Sequence, residues 1–381
     1  MPHRFARIAL LIANFVTGVA ILGPAGMLPQ LADGLGVSIT AAGLLVTAGA
    51  VILCIGSPLM VWATSGLDRR LLMAGTLGVV GLGNVVSALA PDYGTLLALR
   101  IVIMAFAALV TPQAASTVAL IVPPAERGPA IVFIFLGFTL AVAAGLPLVT
   151  FLATWAGWQA AFAVTGAAAL ANAVLCLTAL PRGVRGAAIS RRSWSALAGN
   201  RAVLLLLLLT VVQVSAQFII FTYLAPLLTR LAGASSETIA AFFSVFGVMG
   251  FVGNLMATRL VTALGPFRTS LAALGVMLAG FCLFGFGAGA RAAMGAGIAL
   301  WGFGFAAINS MQQARLVAVK PDLSSATVAL NTSGIYVGQA IGSAAGGFLL
   351  AHDLPRALGY VAVVLMIAAL GVLALTREKA A

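Results

Sequence analysis

Charge is what this sequence has least of. Only 7% of its 381 residues are Asp, Glu, Lys or Arg, while 62% are hydrophobic; soluble domains carry about a quarter charged residues. So few charges cannot cover a surface that faces water, and a mean hydropathy of +1.16 makes lipid the solvent. Acids are scarcer still, with 8 Asp and Glu and 2 His in the whole chain. They are scattered near the ends of apolar runs, which excludes an enzyme built on a carboxylate pair, a nucleophile–base set or a metal cluster. The 3 cysteines, Cys54, Cys176 and Cys282, each fall inside an apolar run without metal-ligand spacing, so packing is their expected role. A Gly-rich loop ending in Gly-Lys-Ser/Thr is missing, and nucleotide-driven transport goes with it. No metal or cofactor is expected. The first apolar run is too long for a cleavable signal peptide and ends in Pro29-Gln30 rather than at a small-residue cleavage site.

What the chain does have is apolar runs of about 20 residues, the length of a membrane helix. They fall near 7–31, 42–65, 71–90, 95–121, 128–152, 158–181, 202–228, 238–260, 268–290, 292–314, 324–351 and 355–376, which predicts twelve spans. Helices are required because an open sheet would leave backbone groups unpaired in hydrocarbon. Lys and Arg then set the orientation. With the N-terminus in the cytoplasm, the inner side holds Arg4, Arg7, Arg69, Arg70, Arg127, the basic run from Arg182 to Arg201, Arg259, Arg268, Arg315 and Lys320, while the outer side keeps only Arg230, Arg291 and Arg356. That asymmetry predicts both termini in the cytoplasm. It also accounts for a net charge of +12 without a nucleic-acid partner.

The longest connection, 182–201, separates two six-span halves, 1–181 and 202–381. The halves echo each other: Gly56 precedes Ser65 by nine residues at the end of span two, and Gly253 precedes Thr262 by nine at the end of span eight. Two related bundles with a substrate site between them is a transporter plan.

The stretches FVTG, AGMLPQLADGLGVS and AAGLLVTAGA in the first hairpin, LGNVVSALAP, the helix carrying Arg100, VPPAERG, LGFTLAVAAGLPLVTFLATWAGWQAAF in spans five and six, and ALNTSGIYVGQAIGSAAGG in span eleven resemble the major facilitator superfamily. Within it they resemble the drug:proton antiporter group that includes sugar and arabinose efflux permeases. The resemblance covers nearly the whole chain and implies an all-α membrane protein of twelve transmembrane helices in two pseudosymmetric six-helix bundles. It also implies a cytoplasmic gate latch between spans two and three, at Gly56, Ser65, Asp68, Arg69 and Arg70, echoed by Gly253 and Arg268, and an antiporter motif in span five at Gly145 and Pro147. The sequence departs from the family in three places, one of them span four, where Met104, Ala105 and Phe106 only loosely follow the small-residue run usual after the Arg. Ser65 and Thr262 stand where an Asp is usual, with Asp68 where a Gly is usual, and Ile21 stands where relatives often carry a Glu after Thr17-Gly18.

Polar residues recur at helical spacing in particular spans. Asn14, Thr17 and Ile21 share a face of span one. Gln113 lies in span four, Gln213, Gln217 and Tyr223 in span seven, Asn309, Gln312 and Gln313 in span ten, and Thr332, Tyr336 and Gln339 in span eleven. Beside the last set runs a stripe of Gly334, Gly338, Gly342 and Gly346, spaced for close helix packing. As a set the polar residues predict a wet binding cavity; singly, each amide or hydroxyl reads better as polar glue between helices, at about 1 kcal/mol. Arg100 costs about 2.5–3.5 kcal/mol inside a span. It either lines that cavity or snorkels outward past Asp92, and the resemblance favours the cavity. With no acid inside a span, the expectation is a secondary transporter of the bacterial inner membrane, a monomer exporting a small neutral, polar or anionic organic molecule. Whether protons are a second partner stays open, as do a passive facilitator or importer and, more remotely, a membrane sensor.

Overall fold

Runs this apolar and this rich in Ala, Leu and Val can satisfy their backbone in lipid only by helix, and the computed structural model holds helices and no strand among the residues it describes. Those are 4–64, 66–123, 126–185, 197, 199–320 and 324–376. The chain forms two compact units, Met1–Ile189 and Ser190–Ala381, divided within the basic 182–201 stretch.

The first unit runs α1 (Arg4–Gly26), α2 (Leu28–Leu35), α3 (Ile39–Thr64), α4 (Arg69–Ser87), α5 (Tyr93–Ile121), α6 (Arg127–Leu140), a π-helical turn (Ala141–Gly145) and α7 (Leu146–Ala179). The second runs α8 (Arg201–Phe221), α9 (Leu224–Ala232), α10 (Ser236–Phe286), α11 (Arg291–Val319), α12 (Ser324–Ala351) and α13 (Pro355–Leu375). Among the described residues 11 stretches are long and apolar enough to cross a membrane. One of them, Phe133–Ala179, has 47 residues, about 70 Å as a straight rod and more than twice the thickness of hydrocarbon. It is broken at Gly157 (φ 84°, ψ 159°), a conformation that suits glycine alone, and so supplies two spans. The total is twelve. Gly265 (φ 77°, ψ 166°) divides α10 in the same way, with Pro266 behind it to stop the helix.

The first span is shorter than its apolar run. Residues 7–31 read as one helix, but the chain turns at Met27 (φ −132°, ψ 25°) and restarts as α2. Pro29 is the cause. In a continuous helix it would leave the Ala25 carbonyl without a donor and press its ring against it, whereas in the first turn of α2 its missing N–H costs nothing. The second unit repeats the device: α8 gives way at Tyr223 (φ −108°, ψ 17°), Pro226 sits in the first turn of α9, and both short helices end on a left-handed glycine, Gly36 and Gly233.

Small residues bring the helices of each unit together. On α12, a Cβ at Gly338, Gly342 or Gly346 would lie 2.6, 2.5 and 2.5 Å from the carbonyl oxygens of Val211, Ser215 and Ile219 on α8. Only glycine fits at those three positions. Gly334 is looser, its nearest neighbour being Thr210 Cγ2 at 3.6 Å. In the first unit Gly137 on α6 abuts the backbone of α1 at Leu11, and Gly81 on α4 and Gly166 on α7 face one another. As a result α1 and α8 are enclosed over much of their length: residues 16–28 and 213–228 are buried without a break.

Candidate functional site

The most enclosed segment of the first unit carries polar atoms that the fold does not use. Asn14 donates through Nδ2 to the Leu10 carbonyl at 3.1 Å, but its Oδ1 accepts nothing. The Thr17 hydroxyl, one turn on, is likewise unpartnered, and both side chains are fully buried. A buried polar group without a partner costs about 1–3 kcal/mol, and Asn14 and Thr17 place two such groups on one face of α1, with further ones at Ser57 and Asn84 elsewhere in the unit. Ile21 continues that face and is buried as well.

Arg100 is 1% exposed, and its guanidinium is spent on backbone. Nη1 donates to the Ala20 carbonyl, Nη2 to that of Ile21 at 2.5 Å, and Nε to that of Leu45 at 3.4 Å. The reason lies four residues beyond Ala20. Pro24 has no N–H, so the Ala20 carbonyl loses its helical donor, and the rigid fork of an arginine on α5 replaces it. Arg100 thus ties α5 to α1 and α3 rather than snorkelling.

Gln113 is drawn toward the α3–α4 turn. Its Oε1 accepts from Arg69 Nη1 and its Nε2 donates to the Thr64 hydroxyl at 3.3 Å, with Arg69 and Gln113 both buried. Asp68 caps α4 by accepting from the N–H groups of Arg70 at 2.9 Å and Leu71 at 3.3 Å. Its second oxygen takes the Gly183 N–H at 2.6 Å, and the Arg69 N–H reaches the Val184 carbonyl at 2.9 Å. Slight burial alone would raise the Asp68 carboxyl. The N–H groups of Gly183, Leu71 and Arg70, with the Arg185 charge, reverse that and hold it below the usual carboxylate range. Of the other expected gate residues, Ser65 lies outside the described residues and Arg70 is half-buried. Gly56 packs on Ala108 and Ala105, Gly253 meets the backbone of Phe303, and Arg268 is exposed. Gly145 closes the π-helical turn against Val19 and Phe15, and Pro147 follows in the first turn of α7.

In the second unit the amides join up. Trp301 Nε1 donates to Gln217 Oε1 at 3.3 Å, Gln217 Nε2 to Gln213 Oε1 at 2.5 Å, and Gln213 Nε2 to Asn309 Oδ1 at 3.4 Å. Nearer the start of α8, Gln312 donates to the Leu206 carbonyl and the Thr210 hydroxyl, and Thr210 to Asn331. Gln313 and Thr332 are half-buried, while Tyr223, Tyr336 and Gln339 are buried. Trp301, Thr210 and Asn331 are absent from the sequence-based set. A buried tryptophan carries no polar signal in a hydropathy pattern, and only its place beside Gln217 makes it part of the network. None of the described acids is buried: Asp33, Asp92, Glu126, Glu237 and Asp353 are exposed and Asp68 is half-exposed.

Comparison with known proteins agrees with this architecture. The family profile described as Major Facilitator Superfamily matches residues 10–332. The chain belongs to that superfamily. It is 32% identical over 365 residues to the inner membrane transport protein YdhP of Escherichia coli O157:H7, covering 93% of this chain and 91% of the relative. A probable sugar efflux transporter of Mannheimia succiniciproducens is 27% identical over 363 residues, covering 95% and 91%. Among solved structures, the human organic anion transporter MFSD10 superposes with a TM-score of 0.76 at 18% identity, over 98% of this chain and all of that one. The superfamily member described here is therefore a multi-pass membrane transporter of small molecules and not an enzyme.

Proposed function

We propose that this superfamily member is a secondary exporter of the bacterial inner membrane, working by alternating access as a monomer with both termini in the cytoplasm. Its cargo is a small neutral, polar or anionic organic molecule; the candidate contact residues are Asn14, Thr17 and Ile21 within the first unit and, taken by themselves, Gln213, Gln217, Tyr223, Asn309, Gln313, Thr332, Tyr336 and Gln339 within the second. The observation that carries this reading is the pairing of two buried, unpartnered oxygens on α1 with the lack of any buried acid among the described residues. An organic cation would leave its charge without a carboxylate partner. Arg100 and Gln113, held by backbone carbonyls and by Arg69 respectively, support the substrate face rather than contact the cargo. The names of the sugar efflux and inner membrane transport relatives favour the same class of cargo and the same membrane.

A second reading, a passive facilitator, is favoured by one specific feature: no described carboxylate is buried inside a span, where the proton carriers of transporters usually sit. Efflux from energised cells, screened over sugars, nucleosides, neutral antibiotics and small organic anions, separates the two. Export that a protonophore abolishes supports the exporter; export that ignores it supports the facilitator. A lipophilic cation as the best substrate would overturn the cargo class.

A further inference from the structure

The polarity of the amide chain in the second unit is not arbitrary. An indole N–H can only donate, whereas a Gln or Asn side chain can present either end. Trp301 is fully buried on α11, and its Nε1 meets Gln217, so Gln217 must turn its oxygen to Trp301 and its nitrogen to Gln213. Gln213 must then turn its oxygen to Gln217 and its nitrogen to Asn309. Asn309, whose oxygen is taken, is left with a free NH2 that reaches no acceptor among the described residues. The chain starts at a fully buried residue and ends at a half-buried one, on a stripe of α11 where Phe305, Asn309 and Gln313 are all half-exposed. Each bond polarises the next in the same sense, so the terminal N–H is a stronger donor than a lone amide would be.

From this we infer that the Asn309 amide is a specificity element that reads a hydrogen-bond acceptor on the cargo, such as a nitro, carbonyl, carboxylate or ether oxygen, and that Trp301 fixes its donor character from the far end. This rests on the exporter reading above and deepens it. Ligands that present an N–H or ammonium at that point meet a donor with a donor and are rejected.

The test uses proteoliposomes and two matched pairs of solutes: 4-nitrophenyl and 4-aminophenyl glucoside, and 4-nitrobenzoate and 4-aminobenzoate. In each pair an acceptor-only group replaces a donor. The wild-type protein is expected to favour the nitro member. Asn309→Asp keeps an oxygen for Gln213 and replaces the free NH2 with a second oxygen; it should lower nitro-member transport about tenfold or more and abolish or invert the preference. Asn309→Gln, which keeps a terminal amide, should retain most of it. Asn309→Asp transport that matches wild type, with the same preference, overturns the inference while leaving the exporter reading intact. Wild-type vesicles that carry none of the four solutes count instead against the cargo class proposed above. The Trp301 indole resonance, assigned with Trp301→Phe, then decides the chain by itself. It shifts on Asn309→Asp if polarisation runs through Gln213 and Gln217, and an unmoved resonance overturns the inference.

Discussion

Arg100 and Pro24 are best understood together, because each makes the other tolerable. A proline inside α1 leaves the Ala20 carbonyl without its helical donor, and a guanidinium inside a span needs acceptors; the contact between them answers both needs. Arg100→Met should therefore destabilise the protein by about 1–3 kcal/mol, the cost of orphaned buried carbonyls. Pro24→Ala restores an N–H four residues beyond Ala20. In the Pro24→Ala background the loss from Arg100→Met should shrink by about 0.5–3 kcal/mol of coupling. Thermal unfolding of the four proteins in detergent measures the cycle. Additive effects would show that Arg100 does not serve the broken carbonyl. Arg100→Lys should not rescue, since an ammonium lacks the fork that reaches Ala20 and Ile21 at once.

At the level of elements, two contacts lend themselves to measurement. The Asp68 carboxyl caps α4 and holds Gly183 beyond the end of α7, and it sits below its ordinary value of 3.8. A depressed carboxylate contributes stability that is complete above the unfolded-state value and is lost as the pH falls through the folded one. The protection factors of the Leu71 and Gly183 amides should therefore be high and level above about pH 5, then fall, relative to those of neighbouring amides, as the pH drops below 3.8. Asp68→Asn should remove that acid-dependent step and weaken the cap by about 1 kcal/mol. A second contact is the glycine stripe of α12. Gly342→Leu forces a side chain into the Ser215 carbonyl and should destabilise the second unit by at least 1–3 kcal/mol, roughly the cost of overpacking. The same change at Gly334, where the space is wider, should cost less. Equal losses at the two positions would mean that the helices do not approach through the stripe.

For the whole molecule, the orientation in the membrane is open to direct measurement. The bias of Lys and Arg places the turn at Leu89 outside and the turn at Arg185 inside. In a background with Cys54, Cys176 and Cys282 replaced, Leu89→Cys in intact cells should react with an impermeant maleimide, and Arg185→Cys should react only after the membrane is opened. The reverse pattern would invert the topology. These positions suit the purpose because both are exposed.

Membrane residence, helix class, the number of spans and the glycine stripe of α12 follow from the sequence alone, because hydrocarbon leaves an apolar chain so few ways to satisfy its backbone. Even the break at Gly157 lies where one apolar run was expected to end and the next to begin, since only glycine takes that turn without strain. Partners across the bundle were not legible. The sequence shows that Pro24 orphans a carbonyl but not that Arg100, far along the chain, supplies the donor. It shows two glutamines in span seven, but not that Trp301 gives their amides a direction. It shows Asp68 out of the family's register, but not that its second oxygen holds Gly183. Such pairings depend on which faces of different helices meet and at what height. One helix's periodicity carries no information about that; the backbone contacts at glycine decide it, and they exist only once the units have packed.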